Sequence, residues 1–335
     1  MSTRAQRVIL AKRPIGAPDS ETFQIVDLDL PAPAAGEFIV EIELVSLAPA
    51  MRGWLDDKPS YVAPLALGEA MRGRALGVVR SSQNPDFQPG DVVTGPFGAS
   101  TMALSDGLDV VEVDLGLAPA ETWLGALDGT GLTAYFGLLE VGKMVAGDTV
   151  LVSGAAGAVG SVVGQIAKRH GCRVIGIAGG TKKCAWLEDE LGFDVAIDYK
   201  SEAVSARLDV LVPDGVDVYF DNVGGTILED ALDHLAHGAR VVICGAISGY
   251  NDPGPRKGPS NYLSLLVHSA TMAGFVLTDF KDRYDEGRRV LGEWVRDGQL
   301  VAREHVVHGR LDDFGSTFGM LFEGSNTGKL VLKIS

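Results

Sequence analysis

Between Thr149 and Ala167 the chain carries no charged residue, yet glycines at 154, 157, 160 and 164 interrupt it. A run of this length is close to what spans a bilayer. The glycines oppose a membrane helix, because the same residues divide into a strand, Thr149 to Ser153, a tight turn, and a helix with Val159, Val163, Ile166 and Ala167 on its sheet face. Such a strand-turn-helix lets the backbone approach a pyrophosphate, and the helix start offers unpaired N–H groups and the positive end of its dipole. The spacing is GxxGxxG where the usual dinucleotide fingerprint is GxGxxG, so the glycines alone are weak evidence. A second strand expected at Arg173 to Ile177 supplies the βαβ context. A tight turn without a cofactor is the alternative.

The end of that second strand discriminates between nicotinamide cofactors, since an acidic residue there binds both ribose hydroxyls and repels a 2′-phosphate. The chain reads Ala178-Gly-Gly-Thr-Lys182-Lys183, with two ammonium groups and no carboxylate. A phosphorylated ribose, and hence NADP(H), is favoured. The other reading is an exposed lysine pair at a helix start.

At 335 residues the chain exceeds the usual size of one core, so two domains are expected. Residues 1–120 are strand-rich, with runs such as Phe38 to Val45, Leu76 to Val79 and Asp91 to Gly95. From Glu121 helices alternate with strands placed at Thr149–Ser153, Arg173–Ile177, Val195–Ile197, Val216–Asp221, Arg240–Gly245 and Thr271–Val276, the pattern of a parallel α/β sheet. In the tail, Leu311, Phe314, Phe318 and Leu321 share a helical face and Lys329 to Ile334 alternates as a strand, so this segment should pack back on the first domain. Asn251 to Ser260, rich in proline and glycine, is the candidate mobile loop.

A net charge of −15 argues against nucleic acid or anionic lipid as a main partner. Cys172, Cys184 and Cys244 are odd in number and lack CxxC spacing, which points to a reducing compartment, the cytoplasm. Val8 to Ala11, between basic residues, is too short for the apolar region of a signal peptide.

Several segments together resemble a known group: Pro49-Ala-Met-Arg-Gly53, Gly131 to Gly137, Ser153 to Ser161, Leu191 to Asp194, Asp198-Tyr-Lys200, Phe220 to Gly225, Cys244 to Tyr250 and Asn326 to Lys329. Over nearly its whole length the chain resembles the zinc-independent branch of the medium-chain dehydrogenase/reductase superfamily, near the prostaglandin reductases and plant double-bond reductases. The resemblance implies a GroES-like catalytic domain, residues 1–120 with 305–335, a Rossmann domain, residues 121–304, and a cleft where they meet. It implies that Gly157, Ala158, Val159 and Gly160 line the pyrophosphate, Lys183 and Tyr199 the 2′-phosphoadenosine, and Asn222 the neighbouring cleft. Cys244, Gly245, Ala246, Ile247, Ser248, Tyr250, Phe275, Val276, Leu277 and Asn326 would surround the nicotinamide half. Asn222 is equally suited to a turn, Cys244 to filling a buried strand, and Asn326 to capping a helix near Gly324. A homodimer through the Rossmann domain is also implied.

Zinc relatives in the superfamily need separated Cys or His ligands. The first 120 residues contain neither. His234 and His237, spaced for one helix face, read as exposed surface residues. No tyrosine is followed four residues later by lysine, and no Gly-x-Ser-x-Gly or glycine-lysine phosphate loop occurs, which sets aside short-chain dehydrogenases, hydrolases and nucleotidases. Without a metal, an isolated ketone lacks its Lewis acid, whereas an alkene conjugated to a carbonyl needs only modest polarisation. Conjugate reduction of enones and enals is therefore expected, with Tyr250 donating to the developing enolate oxygen or merely shaping the pocket. Ala50 stands where plant double-bond reductases carry a tyrosine, and Trp54 and Tyr61 are candidates to replace that wall. Quinone reduction and a non-catalytic NADPH-binding role are the alternatives.

Overall fold

The computed structural model describes residues 2–254 and 257–334. Its chain divides into two units, Met1–Gly125 with Glu304–Ser335, and Ala126–Arg303. The division follows the short 3-10 turn Ala120–Leu124, which stays with the first unit.

In the first unit β1 (Thr3–Leu10) and β2 (Phe23–Leu30) pair antiparallel. β3 (Phe38–Leu47) is the spine of a larger sheet: β4 (Ala75–Ser82) lies antiparallel beside it and β5 (Val92–Gly95) beside β4. β6 (Met102–Ser105) also pairs with β3, and β7 (Val111–Glu112) with β5. Phe38, Ile39, Val40, Ile42 and Val45 are all buried, as suits β-branched and aromatic side chains on a pleated core strand.

The second unit runs α1 (Gly129–Phe136), β8 (Thr149–Ser153), α2 (Ala158–Arg169), β9 (Arg173–Ala178), α3 (Thr181–Asp189), β10 (Val195–Asp198), α4 (Val204–Leu211), β11 (Val216–Asp221), α5 (Gly225–Leu232), β12 (Leu235–Ile243), α6 (Ser264–Val267), β13 (Thr271–Gly274) and α7 (Tyr284–Arg296). Its parallel strands lie in the order β10-β9-β8-β11-β12-β13. This is the doubly wound Rossmann order, which reverses between β8 and β11 and opens a crevice at their carboxyl ends. Helix cover on both faces explains why β8 and β9 are apolar without alternation.

The chain then returns through β14 (Glu304–Gly309), α8 (Phe314–Glu323) and β15 (Lys329–Ile334). β15 pairs parallel with β14 and antiparallel with β3. The expected face of α8 is buried, and Phe23 meets the rings of Phe314 and Phe318 edge-on at 5.2 and 6.0 Å.

Some expectations are corrected. Lys329 to Leu332 are buried without alternation, because β15 sits between two strands inside the unit. Val159 is only half-buried, whereas Gly160 to Ala167 are buried on every side, α1 covering the face away from the sheet. β13 ends at Gly274, so Phe275 and Val276 belong to the following connection. His234 and His237 share no helix: α5 ends at Leu232 and His237 lies in β12. Only His237 is exposed; His234 is tied by Nδ1 to the Asp230 carbonyl at 2.6 Å and by Nε2 to Asp209 at 3.1 Å. Within Asn251 to Ser260, Pro255 and Arg256 lie outside the described residues, and Ser260 is held by Glu229 at 2.7 and 2.8 Å. Among the described residues no helix is long and apolar enough to cross a membrane.

Candidate functional site

At the β8–β11 switch point the chain leaves β8 through Gly154, whose φ of +57° is in the left-handed region, and Gly157 donates back to the Gly154 carbonyl at 2.9 Å. Gly157 then becomes the N-cap of α2, and no side chain caps this terminus. A Cβ on Gly160 would stand 2.5 Å from the Gly154 oxygen, so only glycine lets the helix start this close to the turn. Gly157 to Gly160 thus form an anion-seeking helix start without side-chain competition.

The neighbouring strand end is organised by Asp221, which is 1 % exposed. One of its oxygens accepts from Tyr219 Oη at 2.7 Å, Ser153 Oγ at 2.8 Å, and the Val223 and Gly224 N–H groups at 3.0 Å. Asn222 completes the tie, donating from Nδ2 to the Ser153 carbonyl at 2.7 Å and from its N–H to Ser153 Oγ at 2.9 Å. Asn222 is therefore a cross-strand brace as well as a turn residue. Burial, with the Asp221 carboxylate second, raises the Tyr219 phenol well above its ordinary pKa, so it remains a neutral donor.

Backbone bonds strap the segment after β12 onto this turn. Cys244 and Gly245 donate to the Asp221 carbonyl at 2.9 and 3.0 Å, Ile247 to that of Asn222 at 3.3 Å, and Ser248 to that of Val223 through N–H and Oγ. Cys244 follows the strand and is half-buried; desolvation, with Asp221 second, pushes its thiol up to about 12. Tyr250 closes the strap, its phenol oxygen accepting the Ala246 N–H at 3.3 Å. Phe275 turns inward, its ring occupying the space beside Gly137 and meeting Phe280 edge-on at 6.3 Å. Val276 accepts the Asp279 N–H, and Leu277 reaches the start of α1 at Gly129.

At the end of β9, Tyr199 and Lys200 crowd Gly179, and Lys183 lies in the first turn of α3. Desolvation, followed by the charge of Lys200, lowers the Lys183 pKa. Two ammonium groups therefore converge where Lys182 and Lys183 were expected to act together; Lys182 is exposed. A carboxylate is nearby after all: Asp198, buried at the end of β10, accepts the N–H groups of Gly180 at 2.7 Å and Lys200 at 3.1 Å, the first of which leads in lowering its pKa. Sequence distance hid Asp198 from the strand-end argument, although the Asp-Tyr-Lys segment was itself legible.

In the first unit Ala50 and Trp54 lie on the 3-10 helix Pro49–Leu55. Trp54 packs against the core, with the Arg72 guanidinium 5.8 Å from its ring centre, while Tyr61 is 64 % exposed on the loop that follows. Arg52 of the Pro-Ala-Met-Arg-Gly segment is 3 % exposed and holds the Gly16 carbonyl at 2.8 and 3.2 Å and Asp56 at 2.7 Å. Asn326 does not cap α8; Gly324 ends that helix with a φ of +65°, and Asn326 Nδ2 donates to the Gly328 carbonyl at 3.0 Å. Lys329, at the start of β15, is 3 % exposed and donates to the Leu47 carbonyl at 2.7 Å just before the Ala50 helix.

Residues 6–113 match the family model described as N-terminal domain of oxidoreductase, and residues 158–291 the one described as zinc-binding dehydrogenase. The chain is 38% identical to the NADPH-dependent curcumin reductase of Escherichia coli, covering 99% of this chain and 97% of that protein. It is 37% identical to prostaglandin reductase 1 of Bos taurus, covering 97% of each. The chain belongs to the medium-chain dehydrogenase/reductase superfamily, in the branch that holds the prostaglandin reductases. Among solved structures of the superfamily, CurA from Vibrio vulnificus in complex with NADPH superposes with a TM-score of 0.92 at 39% identity, over 98% of this chain and 99% of that one.

Proposed function

We propose that this member of the superfamily is an NADPH-dependent reductase of the carbon-carbon double bond of α,β-unsaturated ketones and aldehydes, working without zinc. When bound, NADPH supplies the hydride. The chain fits the dinucleotide: the α2 terminus behind Gly157 has no side-chain cap, a Cβ has no room at Gly160, and Lys200 lies beside Gly179, near enough to Lys183 for its charge to be felt there. Gly157, Ala158, Val159 and Gly160 would hold the pyrophosphate, and Lys183, Lys200 and Tyr199 the 2′-phosphoadenosine end. Asp198 gives one oxygen, Oδ1, to the Gly180 and Lys200 N–H groups, and the ammonium groups of Lys183 and Lys200 would supply the charge that favours a 2′-phosphate. Asn222, the strap Cys244 to Ser248, Phe275 to Leu277 and Asn326 would surround the remaining half of the cofactor.

The observation that carries the acceptor assignment is Tyr250, a phenol fixed by the Ala246 N–H on a strap braced to Asp221 and Asn222. A phenol donates a hydrogen bond at neutral pH, which suits charge building on a carbonyl oxygen conjugated to the alkene. Residues 1–120 contain no Cys or His to supply a catalytic zinc in the manner of zinc relatives. Curcumin, which names the bacterial relative, carries its carbonyl in conjugation with carbon-carbon double bonds.

We further assign residues 1–120 with 305–335 to acceptor binding and 121–304 to cofactor binding. A homodimer would pair the edge strand β13 of two copies, beside which Leu263, Leu266 and Val267 are 58 %, 76 % and 74 % exposed. Three free cysteines fit a cytoplasmic site. The test follows NADPH absorbance with a series of enones, enals and benzoquinones and identifies products by mass. A saturated carbonyl product from enones supports the reading; turnover of quinones alone overturns it. Tyr250→Phe with unchanged kcat would remove Tyr250 from the chemical step. Light scattering tests the dimer, and a single-copy mass refutes it.

A further inference from the structure

The loop between the Ala50 helix and Leu65 has no regular secondary structure and carries Tyr61 at its exposed part. Its two stems, Leu55 and Leu65, are both fully buried, and the Leu65 N–H donates to the Trp54 carbonyl at 2.8 Å. One side chain from the β1–β2 connection grips both stems at once: Arg13 Nη1 donates to the Leu55 carbonyl at 2.8 Å and Nη2 to the Leu65 carbonyl at 2.9 Å. Its carboxylate neighbour, Asp57, lies inside the loop at 3.8 Å. The grip is reciprocal, because Arg52, at the stem side, reaches back to the Gly16 carbonyl in the β1–β2 connection.

We propose that Arg13 is a positioning residue for acceptor selectivity: by clamping both stems of the 56–64 loop it fixes Tyr61 against large acceptors. The proposal rests on the assignment above of residues 1–120 to acceptor binding, with Tyr61 the candidate wall residue named from the sequence. The guanidinium suits the task because its planar fork offers two parallel donors at fixed separation, which an ammonium on a flexible stem does not. Charge-assisted bonds to two carbonyls add to those of Arg72 at Ala63 and Arg52 at Asp56 in opposing the entropy of the loop. Arg13 binds Leu55, Leu65 and Asp57, all within the stretch assigned to acceptor binding, so its loss should act on the acceptor and spare the cofactor.

The test uses the full chain as wild type, Arg13→Gln, Arg13→Lys, Tyr61→Ala and the Arg13→Lys, Tyr61→Ala double variant. Methyl vinyl ketone serves as the small acceptor and benzylideneacetone as the large one. Arg13→Gln should raise KM for benzylideneacetone about tenfold, the scale of one or two charge-assisted hydrogen bonds. kcat, KM for methyl vinyl ketone and KM for NADPH should stay within about twofold, with Arg13→Lys intermediate for benzylideneacetone. On the Tyr61→Ala background the Arg13 change should add nothing, because the clamp acts through the loop. Chymotryptic cleavage after Tyr61 should quicken about tenfold while Tm stays within a few degrees. Equal KM changes for both acceptors, additive effects in the double variant, or a shift in NADPH KM would overturn the proposal. Should Arg13→Gln not fold, an Arg13→Lys enzyme identical to wild type in both KM and cleavage overturns it as well. If wild type reduces neither acceptor, the enone reading falls separately, and the clamp stands or falls on cleavage after Tyr61.

Discussion

At the β8–α2 turn the site is shaped by backbone, close-set glycines and one buried carboxylate spanning two adjacent strand ends, whereas around Tyr61 a loop without regular structure is held by two arginines from elsewhere in its unit, Arg13 at its stems and Arg72 at Ala63. The first arrangement has little freedom to vary, since every strand end it uses is locked by the parallel sheet. The second can change residues between its stems while the clamp persists. A cofactor shared across a superfamily suits the former; an acceptor that differs among its members suits the latter.

The contrast breaks first at Gly160. Gly160→Ala would push a methyl group against the Gly154 carbonyl and displace the helix start, weakening NADPH about a hundredfold in a fluorescence titration. A loss of less than threefold would mean that the turn does not set the cofactor site. Lys183→Ala should cost NADPH about tenfold or more in affinity, the range for a charge-assisted phosphate contact, and leave NADH unchanged. Equal losses for both cofactors would remove the 2′-phosphate role.

The lowered Lys183 pKa gives that residue a pH signature. It loses its charge at lower pH than an ordinary lysine, so KM for NADPH should climb on the alkaline side, and Lys183→Arg should flatten the climb. On the acceptor side, Ala50→Tyr should change KM for aryl enones only a few-fold, about the scale of one added side-chain contact, with KM for NADPH constant. An equal effect on cofactor and acceptor would blur the two regions. The smallest effect is expected at Cys244, where a thiol pushed up to about 12 should react with iodoacetamide far more slowly than a free thiol at neutral pH. Rapid labelling would show the strap to be open.

Much of this architecture is written in local patterns. The uncharged run Thr149–Ala167 with its glycines, the buried strands around it and the apolar face of Leu311, Phe314, Phe318 and Leu321 follow from period and turn chemistry, and the structure places them with small shifts at element ends. Boundaries slipped where tertiary contacts overrule pattern. Phe275 leaves the β13 edge to pack beside Gly137, and Lys329 is buried because its ammonium finds the Leu47 carbonyl across the sheet.

The glycine-rich turn between two expected strands, the change at Glu121 from a strand-rich stretch to alternating helices and strands, and Lys182 and Lys183 with no carboxylate beside them were enough to make an α/β dinucleotide unit, a β-rich partner unit and a phosphorylated nicotinamide cofactor the expectation, because these depend on residues close together in sequence. Only the tertiary structure decided that Asp198 caps Gly180, that Asp221 gathers four donors, that Lys200 stands near Lys183, and that Arg13 closes a loop whose stems lie far along the chain. Hydrogen bonds of a buried or bidentate group depend on which distant backbone atoms arrive beside it, and that is set by packing of the whole unit.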